Sequence, residues 1–142
     1  MNNPTIIEGG CHCGNISYRY EVNKLLREIS VRACTCTFCT KHGAIYTSDP
    51  EGKISIKIKA KENIKKYQFA SKCTEFIFCG ICGVMPLSVT EIDGNIFALI
   101  NIKTSNKELL DLPVQIIDFG KELIEESIKR RKSKWISIVE GI

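Results

Sequence analysis

Seven of the eight cysteines stand in three short clusters, and this arrangement constrains the 142-residue chain more than any other feature. The eighth cysteine, Cys73, stands alone. Thiols grouped in this way are typical of metal ligands in a reducing compartment, where disulfides are rare. We therefore expect the clusters to hold metal ions. They read Cys11-His12-Cys13-Gly14, Cys34-Thr35-Cys36-Thr37-Phe38-Cys39 and Cys79-Gly80-Ile81-Cys82-Gly83.

The beginning of the chain and its apolar runs bear on its location. Residues 1–4 have neither the basic nor the apolar region of a signal peptide. The longest apolar run, Ile96 to Ile100, is far shorter than the roughly 20 residues that a membrane helix needs. Hydrophobic residues make up 44% and charged residues 25% of the chain, as in globular proteins. We expect a cytoplasmic protein without a membrane segment, folded as a single domain over residues 1–142.

The first and third clusters each offer a pair of thiols followed by a glycine. A glycine can adopt a positive φ, which lets the turn curl back so that backbone N–H groups point at the sulfur atoms. Two such pairs form a closed tetrahedral site, the usual arrangement of structural zinc. We predict a structural zinc at Cys11, Cys13, Cys79 and Cys82. Unliganded thiols in turns, or a redox pair at Cys79 and Cys82, are the alternatives.

The middle cluster offers three thiols, Cys34, Cys36 and Cys39, with no adjacent glycine. Three protein ligands and one open position are the arrangement of catalytic zinc. The alternative is a second closed site, completed by Cys73 or by His42. The ligand count favours the open site, which we predict to be catalytic.

The ligand type indicates which chemistry an open site of this kind supports. Three thiolates donate strongly, so their zinc activates water less well than a zinc held by imidazoles. A soft thiolate suits the fourth position, where it is deprotonated at neutral pH and still nucleophilic. We expect a bound thiol to attack a small electrophile, in preference to hydrolysis.

Alternating apolar residues predict a mostly β fold. Asp93-Gly94 predicts a tight hairpin, and a helix is expected from about Lys121 to Lys132, followed by a strand at Trp135 to Val139. Before the helix, strands are expected at Ile16 to Val22, Ile29 to Ala33, Ile54 to Ile58, Phe76 to Cys79, Met85 to Val89, Asn95 to Ile100 and Val114 to Phe119.

Taken together, the three motifs resemble those of the glutathione-dependent formaldehyde-activating enzyme family, which also includes centromere protein V. The resemblance covers roughly Ile7 to Ile102. It implies an Mss4-like fold of small antiparallel β-sheets held together by zinc. It also implies structural zinc at the two outer clusters and catalytic zinc at the middle one. The family's carbon–sulfur lyase reaction joins glutathione and formaldehyde into S-hydroxymethylglutathione. The helix at about 120–133 is an insertion relative to the family pattern.

Three residues beside the middle cluster are candidates for substrate contacts. Arg32 and Lys41 could hold the carboxylates of glutathione, and His42 could transfer a proton near neutral pH. His12 stands between two expected ligands, and we assign it no chemistry. A small thiol and an aldehyde are the expected partners.

The charged residues do not predict a nucleic-acid partner. The formal charge of +4 falls to about +1 when one four-thiolate and one three-thiolate zinc are counted. The basic run at 129–134 is interpreted as the solvated end of the helix. A non-catalytic two-zinc module that binds a macromolecular partner remains the alternative function.

Overall fold

A computed structural model describes residues 4–106, 109 and 111–142. Strands dominate these residues, and α2 is the longer of the two α-helices described. No helix in the described ranges has the length and hydropathy to cross a bilayer. The elements are β1 (Thr5–Gly10), β2 (Ile16–Val22), β3 (Val31–Cys34), α1 (Thr37–His42), β4 (Tyr46–Thr47), β5 (Lys53–Ile58), β6 (Ile64–Tyr67), β7 (Glu75–Cys79), β8 (Leu87–Ile92), β9 (Asn95–Asn101), β10 (Val114–Ile117), α2 (Ile124–Lys134) and β11 (Ile138–Glu140).

The first sheet has the strand order β1-β2-β5-β11. In β2 the residues predicted to face inward are buried, while Ser17 and Arg19 are exposed. The same alternation buries Ile54 and Ile56 of β5, which pairs antiparallel with β2. The two-residue period therefore correctly identified the strands at the centre of this sheet.

The second sheet has the order β10-β3-β4-β9-β8-β7-β6. The predicted tight hairpin joins β8 to β9, and both turn residues, Asp93 and Gly94, have positive φ angles of 53° and 81°. Such a two-residue turn matches the right-handed twist of the paired strands. The short β4 leaves part of β9 unpaired, and Ala98 there exchanges two backbone hydrogen bonds with Ile136.

Two strand pairings differ from the antiparallel sheets that the family resemblance implied. β10 runs parallel to β3, and β11 runs parallel to β5. Both strands return to the sheet edges after long connections, and only a long crossover allows parallel pairing. The last strand also begins later than expected, at Ile138, because Trp135 ends α2.

Helix α2 begins three residues after the predicted start. Fewer of its apolar residues are buried than the sequence pattern predicted. Leu123 and Ile124 are 65% and 59% exposed, whereas Ser127 is buried. Arg130 donates two hydrogen bonds to Glu122, at 2.8 and 3.0 Å, and its guanidinium lies 3.7 Å from the centre of the Phe119 ring. These contacts tie the helix to the segment that precedes it.

Two groups of buried side chains form the core. The larger one lies between the sheets and contains Cys11 and Cys79. The smaller one is rich in aromatic residues and joins Cys39 to Tyr46 and Trp135. Each predicted metal cluster is therefore anchored in its own part of the core.

We expect Gly10→Ala to destabilise the protein by about 2 kcal/mol or more, because overpacking strains the backbone. A Cβ at Gly10 would lie 2.1 Å from the carbonyl oxygen of Ile16 in the paired strand. Gly120→Ala is the matched control, since its Cβ would meet only the flexible end of Asp118 at 3.0 Å. Urea unfolding of both variants measures the difference. Equal unfolding midpoints would show that β1 and β2 can separate freely.

Candidate metal centres and the adjoining cavity

Four thiols converge at the junction of β1, β2 and β7. The sulfur atoms of Cys11, Cys13, Cys79 and Cys82 all lie within 4.8 Å of one another. Two of the separations are 3.8 Å, between Cys11 and Cys13, and 3.5 Å, between Cys13 and Cys79. A tetrahedral zinc with Zn–S bonds of about 2.3 Å places its sulfur ligands about 3.8 Å apart. The four-cysteine group therefore fits a structural zinc site.

Backbone geometry holds these thiols in place. Gly14 and Gly83 have φ angles of 86° and 79°, the positive values that the sequence predicted. The amide of Ile16 donates to the sulfur of Cys11 at 3.2 Å, and the amides of Ile81 and Cys82 donate to Cys79 at 3.3 and 3.5 Å. Such N–H groups stabilise thiolates, the protonation state that binds metal.

The three cysteines of the middle cluster also converge. The sulfur atoms of Cys34, Cys36 and Cys39 lie within 4.8 Å of one another. Cys34 ends β3, and the side chain of Cys36 caps the start of α1, where it accepts a hydrogen bond from the amide of Cys39 at 3.3 Å. The start of α1 thus holds the thiols of this cluster in place, as the glycine turns hold those of the four-cysteine group.

No fourth ligand joins this cluster within the described ranges. Neither Cys73 nor His42 belongs to the group of converging donor atoms. The Cys73 thiol instead contacts the carbonyl oxygen of Ser71 and lies beside Arg131. The arrangement of three thiols with a free fourth position fits an open zinc site.

Hydrogen bonds shift the pKa values of two of these thiols in opposite directions. A hydrogen bond from Cys39 lowers the pKa of Cys34 to about 6, with contributions from the Cys36 amide and from Arg130. The same hydrogen bond raises the pKa of Cys39. The sulfur of Cys39 lies 3.2 Å from the hydroxyl oxygen of Tyr46, whose own pKa is raised mainly by burial. Sequence reasoning missed Tyr46, which no motif identifies.

A cavity of about 360 Å³ adjoins the middle cluster, a size typical of small-molecule sites. All three cysteines and Tyr46 line it. Phe76 and Leu99 of the sheet contribute an apolar wall, and α2 with the residues before it forms the opposite side. The cavity therefore brings the open metal position next to a largely apolar space.

Of the three residues proposed for substrate contacts, Arg32 lines this cavity. It is the cross-strand neighbour of Tyr46 and donates a hydrogen bond of 2.6 Å to Ser48. Burial and the nearby Arg130 lower its pKa to about 10, so it stays a cation at neutral pH.

Lys41 and His42 do not line this cavity. They border a separate cleft with Tyr67 on the outer side of α1. The His42 ring stacks on Phe38, with ring centres 5.5 Å apart. Both residues lie in the last turn of the six-residue α1, and both are exposed.

The basic run at 129–134 contains both exposed and partly buried residues. Lys129, Lys132 and Lys134 are exposed, as expected for a solvated helix end. For Arg130 and Arg131 that expectation is wrong, because both are partly buried and line the cavity. The signal for their burial was their position on the inward face of α2, shortly before a tryptophan that is buried.

Comparisons with known proteins agree with this geometry. The family model described as glutathione-dependent formaldehyde-activating enzyme matches residues 6–111. No curated protein matches the sequence. A crystal structure of a Rhodobacter sphaeroides protein is similar over 76% of this chain and 99% of that one, with a TM-score of 0.54 and 23% identity. That likeness supports the mostly β, Mss4-like fold predicted from the sequence. Since the matched segment covers more than half of the sequence, the chain belongs to the glutathione-dependent formaldehyde-activating enzyme family.

Proposed function

We propose that the protein joins glutathione, or a similar small thiol, to formaldehyde or a related aldehyde. With glutathione and formaldehyde the product is S-hydroxymethylglutathione, the product of a carbon–sulfur lyase acting in reverse. The observation that carries this proposal is the convergence of Cys34, Cys36 and Cys39 without a fourth ligand, at the wall of a cavity of small-molecule size.

Different residues of the chain have different roles in the proposed reaction. Cys34, Cys36 and Cys39 would hold a zinc ion, which would supply a soft open position where an incoming thiol is stabilised as its thiolate. Tyr46 orients Cys39, and the start of α1 orients Cys36, so the three sulfur atoms keep one arrangement. The apolar wall excludes water and holds thiol and aldehyde close together, which replaces a bimolecular encounter by a local one.

The proposed reaction is an addition without a change in oxidation state. The thiol sulfur forms a bond to the aldehyde carbon, and the π electrons of the carbonyl move to its oxygen. That oxygen takes up one proton, which balances the proton lost by the thiol, and water carries it. Arg32 is the cation that we assign to a substrate carboxylate, because it lines the cavity. Lys41 and His42 have no role in this proposal, since they border a different cleft.

The zinc content of protein purified under reducing conditions tests the proposal. We expect two zinc ions per chain, of which a moderate chelator removes one. Added glutathione should protect that labile ion, because a thiol in the fourth position closes the site. Kinetics with formaldehyde would then measure the rate above the spontaneous reaction. One zinc, or two that glutathione does not protect, would contradict the proposal and favour a non-catalytic module.

A further inference from the structure

Helix α2 forms one side of the cavity, although it lies beyond the segment that matches the family model. The match ends at residue 111, and α2 spans Ile124–Lys134. Arg130, Arg131 and the following Trp135 all line the same cavity as the three cysteines. This side of the cavity therefore lies outside the segment that matches the family model.

The charges around the cavity are unbalanced. Three guanidinium groups line it, from Arg32, Arg130 and Arg131. Against them stand one carboxylate, Glu122, and the three-thiolate centre, which with one Zn²⁺ would carry a charge of −1, so the cations are in excess. Glu122 is already engaged, because it accepts both hydrogen bonds from Arg130. Among the described residues, the ion pairs include no carboxylate partner for Arg32 or Arg131, although Arg131 also interacts with the Cys73 thiol and, at longer range, with Glu122. Burying cations without an anionic partner costs free energy, so the binding of an anionic ligand would be favoured here.

Hydrogen-bond donors of α2 are also unpaired. Nε and Nη1 of Arg131 and Nε1 of Trp135 are shielded from solvent, yet they have no acceptor among the described residues. The Arg131 guanidinium lies 5.6 Å from the centre of the Trp135 ring, so the donors belong to one local group. Buried donors normally have partners, and a native structure leaves them unpaired for a reason. Both residues that carry these donors are among those that line the cavity.

We propose that Arg131 and Trp135 form a subsite for a carboxylate of the thiol substrate, so that α2 selects acidic thiols over neutral ones. This inference rests on the proposed function, in which a thiol enters the cavity. Arg131 turns toward the entering carboxylate and donates to it, and the indole N–H adds a second donor. Arg130 is not part of the subsite, since Glu122 holds it. The arrangement suits a small peptide-like thiol, with sulfur at the cysteine cluster and carboxylate at the helix.

Three probes separate the subsite from the metal centre. S-methylglutathione keeps the carboxylates but has no free thiol. Its diethyl ester has neither charged carboxylate nor thiol, and 2-mercaptoethanol has a thiol but no carboxylate. Trp135 is the only tryptophan of the chain, so its fluorescence reports binding to the zinc-loaded protein. Protection of the labile zinc from a chelator reports 2-mercaptoethanol binding independently.

In the wild-type protein we expect S-methylglutathione to bind and its ester to bind about ten- to a hundredfold more weakly, the range for losing hydrogen bonds to a charged group. This comparison needs no variant, so it stands even if a substitution damages folding. Equal affinity for the acid and its ester would overturn the subsite.

In Arg131→Gln we expect the affinity for S-methylglutathione to fall about ten- to a hundredfold, while 2-mercaptoethanol still protects the zinc. Lys129→Gln is the matched control: it removes the same charge from the same helix but from an exposed position outside the cavity. Its affinities should equal those of the wild type. Wild-type affinity of Arg131→Gln for S-methylglutathione would refute the proposal.

The proposed function and the carboxylate subsite are contradicted by different results. If 2-mercaptoethanol and glutathione leave the zinc unprotected while S-methylglutathione binds, the proposed function is wrong and the anion subsite stands. If both thiols protect the zinc but Lys129→Gln and Arg131→Gln weaken S-methylglutathione equally, only general charge attraction acts, and the subsite is wrong.

Discussion

Cys79→Ser is expected to prevent stable folding. The thiol is 1% exposed, lies in the larger core group and accepts two backbone hydrogen bonds. A serine hydroxyl is a poor zinc ligand, so the variant loses both the closure of the four-cysteine site and the cross-link from β1 to β7. We expect a loss of about 5 kcal/mol or more, comparable with the whole stability of a domain of this size. The soluble yield and thermal melting measure it.

Cys73→Ser is the matched control for this prediction. Cys73 is the one cysteine outside both converging groups, and its backbone carbonyl, which accepts a hydrogen bond from Thr90, is unchanged by the substitution. Solubility, melting and zinc content should stay at wild-type values. If instead Cys79→Ser melted cooperatively at the wild-type temperature, the structural role of the four-cysteine group would be wrong.

Cys36→Ser is expected to abolish thiol binding while leaving the fold intact. Cys36 is partly exposed at the cavity wall, and its hydrogen bond to the Cys39 amide can be replaced by a serine oxygen at the cap of α1. We therefore expect the zinc content to fall from two ions to one per chain. Protection by glutathione should disappear, and the melting temperature should change by only a few degrees, about 1 kcal/mol.

Thr37→Ser tests whether the loss of zinc and of thiol binding requires the removal of a cysteine ligand. Thr37 follows Cys36 directly and is exposed, so this variant changes the start of α1 without touching a sulfur atom. It should retain both zinc ions and the protection by glutathione. Two tightly bound zinc ions in Cys36→Ser, with unchanged glutathione affinity, would exclude the middle cluster as the thiol-binding centre.

The segment beyond the family match lines the same cavity as the cysteine cluster. The family model ends before α2, so the cysteine centre and the wall that faces it come from different parts of the sequence. Function can differ within a fold because sites are modified locally. A common thiol chemistry with a substrate preference set by Arg131 is consistent with this division.

The sequence by itself determined the parts of the protein that depend on local spacing. Cysteine pairs next to glycine predicted the turns at Gly14 and Gly83, because a positive φ is a property of a single residue. The two-residue alternation located β2 and β5, and Asp93-Gly94 located the hairpin. The six residues of α1 were missed because they are too few to show a helical period.

Only the tertiary structure decided which side chains share the cavity. Lys41 and His42 are close to the cluster along the chain but border a separate cleft, whereas Arg131 is more than ninety residues from Cys39 and faces the same space. The parallel return of β10 to β3 and the bridge between Ala98 and Ile136 bring α2 there. Such contacts depend on how distant segments pack, and no local pattern of residues encodes them.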